Sequence, residues 1–481
     1  MSLKPSQFDY EPVRPSKRTG KFKGSNASET DDVALTHEPE GRVVTNWATE
    51  ENRFSQKTPP IISLRETSQV RWIGEHGHAL SFTGLFLFTV VLYFRPYELT
   101  PALSWTSTSA YWIALATLVI FIPAQISLEG NVTARPREVS LLLLLTVAAL
   151  LSIPLAVDPS EAWKTFNDSF VKVVVMFVVM VNVVRTRRRL KALVYLAIAV
   201  SLIVSVNAIN DYRNGRLELR GVRIEGSLGG MFENPNDLAT HLVIIIPLVF
   251  ALIPLTRNVL LKILYATFAI LIVSGVVVTF SRGGFLGLVA GLGFFTFKIF
   301  RRSRGVGLGL AAIALVAFLV LAPVGYGDRV ATILSSGSDI TGSSGAREQL
   351  LVRSALVTLR HPLVGVGMGN FHFHSIHEQV THNSYTQVGS ELGIPAMLLY
   401  TMFIFAPLRK LRQIEEETVE SGDKTWFHWT SLGLQAGLVA YLVASFFGSF
   451  SYLWYLYYLV GYAVCLRRVY VSAVKTTIPW P

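Results

Sequence analysis

A long polar segment ends and a strongly apolar run begins in the sequence HNSYTQVGSELG, residues 382–393. The polar segment starts near Arg347 and carries several arginine and histidine side chains. The apolar run that follows is long enough to cross a bilayer as a helix. We interpret the polar segment as one half of an active site outside the membrane, and expect the other half on two further segments that face the same side.

The composition of the chain predicts an all-α polytopic membrane protein. Of its 481 residues, 51% are hydrophobic and 16% are charged, and the mean hydropathy is +0.44. Soluble domains carry about 25% charged residues. Helices are expected because lipid cannot satisfy free backbone groups. About twelve apolar runs approach spanning length, at about 78–94, 108–128, 139–157, 168–184, 190–209, 238–255, 259–280, 284–300, 305–323, 383–407, 431–448 and 451–466.

The cysteine content and the charge distribution exclude several classes of protein. The single cysteine, Cys465, lies in an apolar run, so an intrachain disulfide and a cysteine-based metal site are excluded. The net charge of +11 could suggest a nucleic-acid partner. However, residues 1–78 contain eleven basic and eleven acidic side chains. The positive excess lies in short connections between apolar runs, which indicates membrane orientation rather than nucleic-acid binding.

The same charge bias predicts the topology. If both termini are cytoplasmic, the inner connections hold most of the arginines and lysines, and the short outer connections hold little more than Arg95, Lys164 and Arg282. Residues 1–68 are predicted to be a disordered cytoplasmic tail. Residues 69–481 then form the transmembrane domain, whose first apolar run serves as a signal anchor. Two longer outer loops are expected at about 210–237 and 324–381.

Outer loop one combines arginines, glycines and an Asn-Pro-Asn-Asp turn. Asn236 or Asp237 is predicted to cap the helix that follows. The N–H groups of that helix would form an anion site at the outer surface, with Arg223, Asn234 and Asn236 as candidate substrate-binding residues. A plain loop with a capped helix and solvated arginines is an equally good interpretation of this motif alone.

A single arginine, Arg282, lies between two apolar runs and is followed by Gly283 and Gly284. Charges at a membrane edge are costly and usually face a cavity or a partner. The alternative is an arginine that extends to a lipid phosphate. The two glycines favour a functional role, because they let another group pack close to the backbone.

Outer loop two predicts a short amphipathic helix with Arg347 at its start and Leu350, Leu351 and Ser354 on the same face. Arg353 of this helix is a further candidate substrate-binding residue. A glycine-rich turn and three histidines follow, at His372, His374 and His377. Their spacing fits no common closed zinc site, so we predict that they bind no metal.

His382 is expected at or just before the start of a helix. The positive end of a helix disfavours the imidazolium form and lowers its pKa, and a neutral imidazole is what a general base requires. A structural histidine at a helix start is the alternative. Gly389 and Gly393 would let another helix approach closely. Glu391 is a candidate substrate-binding residue that could pair with an arginine.

These motifs together resemble those of the bacterial O-antigen ligase and polymerase superfamily. The resemblance rests on His382-Asn383, nine intervening residues and Gly393, although Ala396 stands where that pattern has Gly, Thr or Tyr. Ser281-Arg282-Gly283-Gly284 and the Asn234-Pro235-Asn236 turn are also similar. So is the arrangement of about twelve spans with a large external loop before the tenth. The likeness covers roughly residues 75–470.

The resemblance implies a glycosyltransferase of the GT-C type in the bacterial inner membrane, inverting and without metal or cofactor. Its donor would be a glycan on undecaprenyl pyrophosphate. Its acceptor would be a sugar hydroxyl, on lipid A–core for a ligase or on another lipid-linked glycan for a polymerase of lipopolysaccharide or exopolysaccharide. His382 would be the base, and Arg282 and Arg347 the catalytic cations. A transporter of a small anion such as bicarbonate, or a scaffold without chemistry, are the alternatives.

Overall fold

The computed structural model describes residues 64–94, 108–219, 223–224, 232, 234–302, 304–305, 343–375, 378–419 and 425–477. These residues are almost entirely helical, which confirms the predicted class. The main helices are α1 (Leu64–Phe94), α2 (Ser109–Glu129), α3 (Arg137–Ser152), α4 (Pro159–Thr165), α5 (Val171–Val183), α6 (Arg187–Arg213), α7 (Pro235–Leu252), α8 (Val259–Val278), α9 (Arg282–Arg302), α10 (Ser343–Arg360), α11 (Ser384–Thr418), α12 (Thr425–Ala444) and α13 (Trp454–Thr477).

Ten helical segments within the described part of the chain are long and apolar enough to cross a membrane. They match ten of the twelve predicted spans. The run at about 305–323 lies outside the described residues, apart from Gly305. The last run forms α13, where Arg467 and Arg468 interrupt the apolar sequence. The predicted tail also lies outside, except that α1 already begins at Leu64.

The connection between α6 and α7 contains a short ribbon that the sequence did not predict. Strand β1 (Leu217–Leu219) pairs antiparallel with β2 (Arg223–Ile224). The ribbon lies within outer loop one, so that loop is partly ordered by backbone hydrogen bonds.

The centre of the bundle is formed by α7, α12 and α13, which are the most completely buried helices. Five tyrosines of α11, α12 and α13 are fully buried: Tyr400, Tyr441, Tyr455, Tyr457 and Tyr462. A hydrogen bond of 2.7 Å joins the hydroxyls of Tyr400 and Tyr441, so these two buried hydroxyl groups have a hydrogen-bond partner inside the bundle. By contrast, α2, α3 and α8 expose rows of large apolar side chains, as expected for helices that face lipid.

Ion pairs gather at one end of the bundle, which we call the basic end. It contains the C-terminal parts of α2, α9, α11 and α13 and the N-termini of α3 and α6. The pairs there are Arg185–Glu129 (2.9 Å), Arg468–Glu129 (2.7 Å), Arg467–Glu138 (3.1 Å) and Lys298–Glu415 (2.8 Å). The opposite end, where α7, α9 and α11 begin, is called the site end.

Helix α11 is interrupted near the site end. Gly393 has φ 87° and ψ 171°, a backbone conformation that is essentially restricted to glycine. The backbone of Leu363 lies where a Cβ on Gly393 would stand. The N–H of Ile394 donates to the carbonyl of Pro362 at 2.7 Å. The glycine-rich turn after α10 therefore packs into the break in α11.

Candidate active site at the site end

His382 lies immediately before α11, as predicted. Asn383 is the N-cap, and its side-chain oxygen accepts the N–H groups of Tyr385 (2.9 Å) and Thr386 (3.0 Å). His382 itself has φ 52°, a left-handed conformation that is unfavourable for a residue with a Cβ. Its backbone must therefore be held by its surroundings.

The connection between α12 and α13, residues 445–453, holds this backbone. The hydroxyl of Ser449 accepts the N–H of His382 at 2.9 Å and lies 2.9 Å from the hydroxyl of Thr381. The side chain of Asn383 donates to the carbonyl of Phe446 at 3.1 Å. The hydroxyl of Ser384 donates to the carbonyl of Gly448 at 2.7 Å. These bonds fix the position of His382 on both sides.

The starts of α7 and α9 meet at the same connection. The hydroxyl of Ser281 donates to the side-chain oxygen of Asn236 at 2.9 Å, which ties the beginning of α9 to that of α7. The Cβ of Phe447 packs against Gly283 so closely that a side chain there would collide with it. Arg282, the first residue of α9, is therefore at the same end as His382, with Phe446 and Phe447 between their helices.

Arg347 approaches His382 from α10. The hydroxyl of Ser354 donates to that of Thr386 at 2.8 Å, so α10 lies against the first turn of α11. Burial, and to a smaller extent the nearby Arg347 guanidinium, lower the pKa of His382 to about 4. The direction is the one predicted, but its causes are burial and Arg347 rather than the positive end of the helix. A neutral imidazole beside a guanidinium thus stands at the site end.

Two of the predicted site residues make structural contacts. The carboxylate of Glu391 accepts the N–H of Gly369 at 2.9 Å, and among the described residues no arginine pairs with it. The suggested arginine pairing is therefore corrected. The guanidinium of Arg353 donates to the carbonyl of His374 at 2.7 Å. Both side chains secure outer loop two, and their substrate-binding role stays a prediction.

The predicted N-cap of α7, Asn236 or Asp237, was wrong by two or three residues. Asn234 caps the helix, and its side-chain oxygen accepts the N–H of Asn236 at 2.8 Å. Pro235 takes the first helical position, where its fixed φ and its missing N–H are favourable. Arg223 belongs to β2, and its side chain lies outside the described residues.

Of the three histidines that follow the glycine-rich turn, His377 also lies outside the described residues. His372 contacts the carbonyl of Gly369 at 2.9 Å and the carboxylate of Glu161 at 3.5 Å. These contacts attach outer loop two to the start of α4.

Sequence reasoning missed the connection at residues 445–453. The sequence of this connection is SFFGSFSYL, in which small polar and aromatic residues separate two apolar runs. Such a string looks like an ordinary short turn. Only the fold reveals that its serines bond to residues 381–384, more than sixty positions earlier in the chain.

A comparison with known protein families finds a match for part of the chain. Residues 266–401 are similar to the family described as O-antigen ligase. This segment contains Arg282, Arg347 and His382 together with the whole of α9 and α10, whereas Asn234 and Asn236 precede it. No curated protein matches the chain. The O-antigen ligase-like segment therefore supplies most of the residues gathered at the site end.

Proposed function

We propose that this O-antigen ligase-like protein transfers a glycan from undecaprenyl pyrophosphate to a sugar hydroxyl at the periplasmic face of the bacterial inner membrane. The observation that supports it most is the neutral His382 beside Arg347, at the end of the bundle where α9 begins with Arg282. The family match supports glycan transfer in general. Donor, acceptor and membrane side are our inference.

The chemistry that we propose is a single displacement. The acceptor hydroxyl attacks the anomeric carbon, its oxygen forms the new glycosidic bond, and His382 takes its proton. The bond between the anomeric carbon and the pyrophosphate oxygen breaks on the opposite side, so the anomeric configuration inverts. The leaving pyrophosphate lipid carries the electron pair and the negative charge away.

Cations and helix dipoles at the site end would stabilise that leaving group. Arg282 and Arg347 supply guanidinium groups, which bind phosphate oxygens in a bidentate manner. Helices α7, α9 and α11 all begin there, and each N-terminus carries roughly half a positive charge. Electrostatic stabilisation of this kind can replace a metal ion. We therefore propose a metal-independent enzyme.

The periplasmic orientation follows from the basic end. Arginines and lysines of membrane proteins concentrate on the cytoplasmic side. Arginines and lysines paired with Glu129, Glu138 and Glu415 lie at the basic end, which we therefore assign to the cytoplasmic side. The opposite, site end then faces the periplasm, where lipid-linked glycans would be joined.

A transporter of small anions would place its cations near the middle of the membrane, in interrupted helices. Arg282 and His382 instead stand at the starts of helices at one end. We therefore favour a reaction at the membrane surface over transport.

The direct test uses purified protein with a lipid pyrophosphate-linked oligosaccharide. Elongated product would identify a polymerase, and transfer to lipid A–core would identify a ligase. Product formed at full rate in excess chelator would support metal independence. No product with either acceptor, combined with anion uptake into vesicles, would contradict the proposal.

The matched test of the base is His382→Ala, which should lower the transfer rate at least about 100-fold, the usual contribution of a general base. Donor binding should persist because the arginines remain. His361→Ala is the control, since His361 is an exposed histidine of the same outer loop. Full activity of the His382→Ala protein would remove His382 from the mechanism.

A further inference from the structure

Helix α10 is apolar on two opposite faces. The first face packs on α11 and carries the buried residues Leu350, Ser354 and Val357. The second carries Val352 (55% exposed), Leu356 (43%), Leu359 (69%) and, just beyond the helix end, Leu363 (75%). At 3.6 residues per turn these four side chains fall in one stripe about 180° from the packed face. We call them the α10 stripe.

The α10 stripe is not part of the candidate active site. Arg347 belongs to the packed side, where it influences His382. The stripe points away from that side, so the helix separates the stripe from the site. Large exposed apolar stripes on a helix of this kind indicate contact with a partner or with a membrane.

The position of the α10 stripe along the bundle axis indicates what the stripe contacts. Pro362 and Leu363 pack on the break at Gly393. That glycine lies nine residues, or about 13 Å, along α11 from Ser384. One turn further on, α11 exposes Leu398 (56%), followed by Met402 and Phe405, as expected for a face in contact with lipid. The end of the stripe therefore adjoins the lipid-facing surface of α11.

A second membrane helix flanks the same turn. The N–H of Val157, just after α3, donates to the carbonyl of Val366 at 3.0 Å. At this end of α3, Leu151 (62%), Leu155 (66%) and Val157 (54%) are exposed. The α10 stripe thus continues apolar surface that belongs to two membrane-spanning segments.

We propose that α10 is an interfacial helix whose stripe enters the acyl chains of the lipid leaflet at the site end, with Leu359 and Leu363 deepest. Arg360, exposed at the end of the helix, borders the stripe and can extend to a lipid phosphate. Outer loop two is therefore partly embedded rather than wholly in water. This inference does not depend on the reaction that the protein performs.

Site-specific fluorescence quenching in vesicles tests the proposal. Cys465, the single cysteine, is buried and is first replaced by alanine. Cysteine is then introduced by Leu359→Cys or Leu363→Cys and labelled with a small fluorophore. The reference variants are Leu398→Cys for the lipid-facing surface and Ala346→Cys, at an exposed position on the side of α10 that carries Arg353 and Arg360. Each protein is reconstituted into phospholipid vesicles that contain nitroxide-labelled acyl chains, and iodide is added as the aqueous quencher.

Labels at positions 359 and 363 should be quenched by nitroxide lipid at least half as strongly as the label at 398. Iodide should quench them at least three-fold less than the label at 346. Strong iodide quenching without lipid quenching would overturn the proposal. Protection from both quenchers would also overturn it, because a protein surface would then cover the stripe. Lipid quenching that is lost only when undecaprenyl pyrophosphate is added would assign the stripe to that lipid tail instead.

Discussion

The titration of one imidazole connects the geometry of the site to a measurable rate. His382 can accept a proton only while it is neutral. Because its pKa is lowered to about 4, kcat/KM should fall only as the pH drops through that value, whereas an ordinary histidine would lose activity near 6.5.

The Arg347→Gln variant should move this acid limb upward, since removing a nearby positive charge raises the pKa of His382. Burial still lowers it, so the limb stays below 6.5. Initial rates normalised to each plateau measure the shift. Arg353→Gln is the control, because that guanidinium bonds to the carbonyl of His374. An unmoved limb in Arg347→Gln would show that the two side chains are not coupled.

A single hydroxyl supports the strained backbone at this position. Ser449→Ala removes the acceptor of the His382 N–H and the partner of the Thr381 hydroxyl. One hydrogen bond contributes about 1 kcal/mol. We therefore expect kcat to fall roughly 5-fold with little change in KM, because the base is displaced while the donor site persists. Ser449→Thr should restore much of the rate.

The control for that measurement is Ser274→Ala, whose hydroxyl donates to the carbonyl of Ile270 within α8. It should leave both constants unchanged. If Ser449→Ala raises KM and leaves kcat unaltered, the hydroxyl serves substrate binding and not the position of His382.

At the scale of an element, the break in α11 depends on one glycine. Gly393→Ala would force a Cβ into a glycine-only conformation and against the backbone of Leu363. The cost should be at least about 2 kcal/mol. Thermal unfolding in detergent should show a clear loss, together with faster hydrogen exchange in the turn that follows α10.

Gly293→Ala in α9 is the matched control. Gly293 lies within a regular helix, and its position has no neighbour within 4 Å of an added Cβ. Alanine there should be neutral or stabilising by up to about 1 kcal/mol. Equal stability of the two variants would show that the break in α11 is not constrained by Leu363.

The elements themselves were largely predictable, because an apolar run near 20 residues has few options in lipid. The start of α11 at His382-Asn383 and the presence of α10 also followed from capping and periodicity, although α10 begins at Ser343 and not at Arg347. The break at Gly393 was not predicted, since a glycine inside an apolar run indicates close packing against another helix. The second apolar face of α10 was not predicted, because the sequence pattern was matched to the packed face alone.

At the scale of the whole molecule, sequence motifs indicated which residues carry the chemistry but not what holds them together. Arg282 and His382 are 100 positions apart, and the residues that follow them, Gly283 and Asn383, contact Phe447 and Phe446 of a third segment. Such contacts depend on the packing of α9, α11 and α12, which no local sequence pattern predicts. The charge bias, in contrast, correctly anticipated that the basic side chains gather at one end.

The ion pairs at the basic end lead to a prediction about the stability of the whole bundle. Glu129 of α2 accepts from Arg185, which precedes α6, and from Arg468 of α13, so one carboxylate joins three parts of the bundle. Arg468 and Glu129 are nearly buried, and removing one partner leaves an uncompensated charge. Glu129→Gln should therefore lower the free energy of unfolding by about 3 kcal/mol. Glu416→Gln, which breaks an exposed pair with Arg412 within α11, should have a much smaller effect, because solvent screens that pair. The difference between the two variants in thermal unfolding measures how far the basic end stabilises the bundle. Equal midpoints would mean that helix packing alone holds α2 and α13 together.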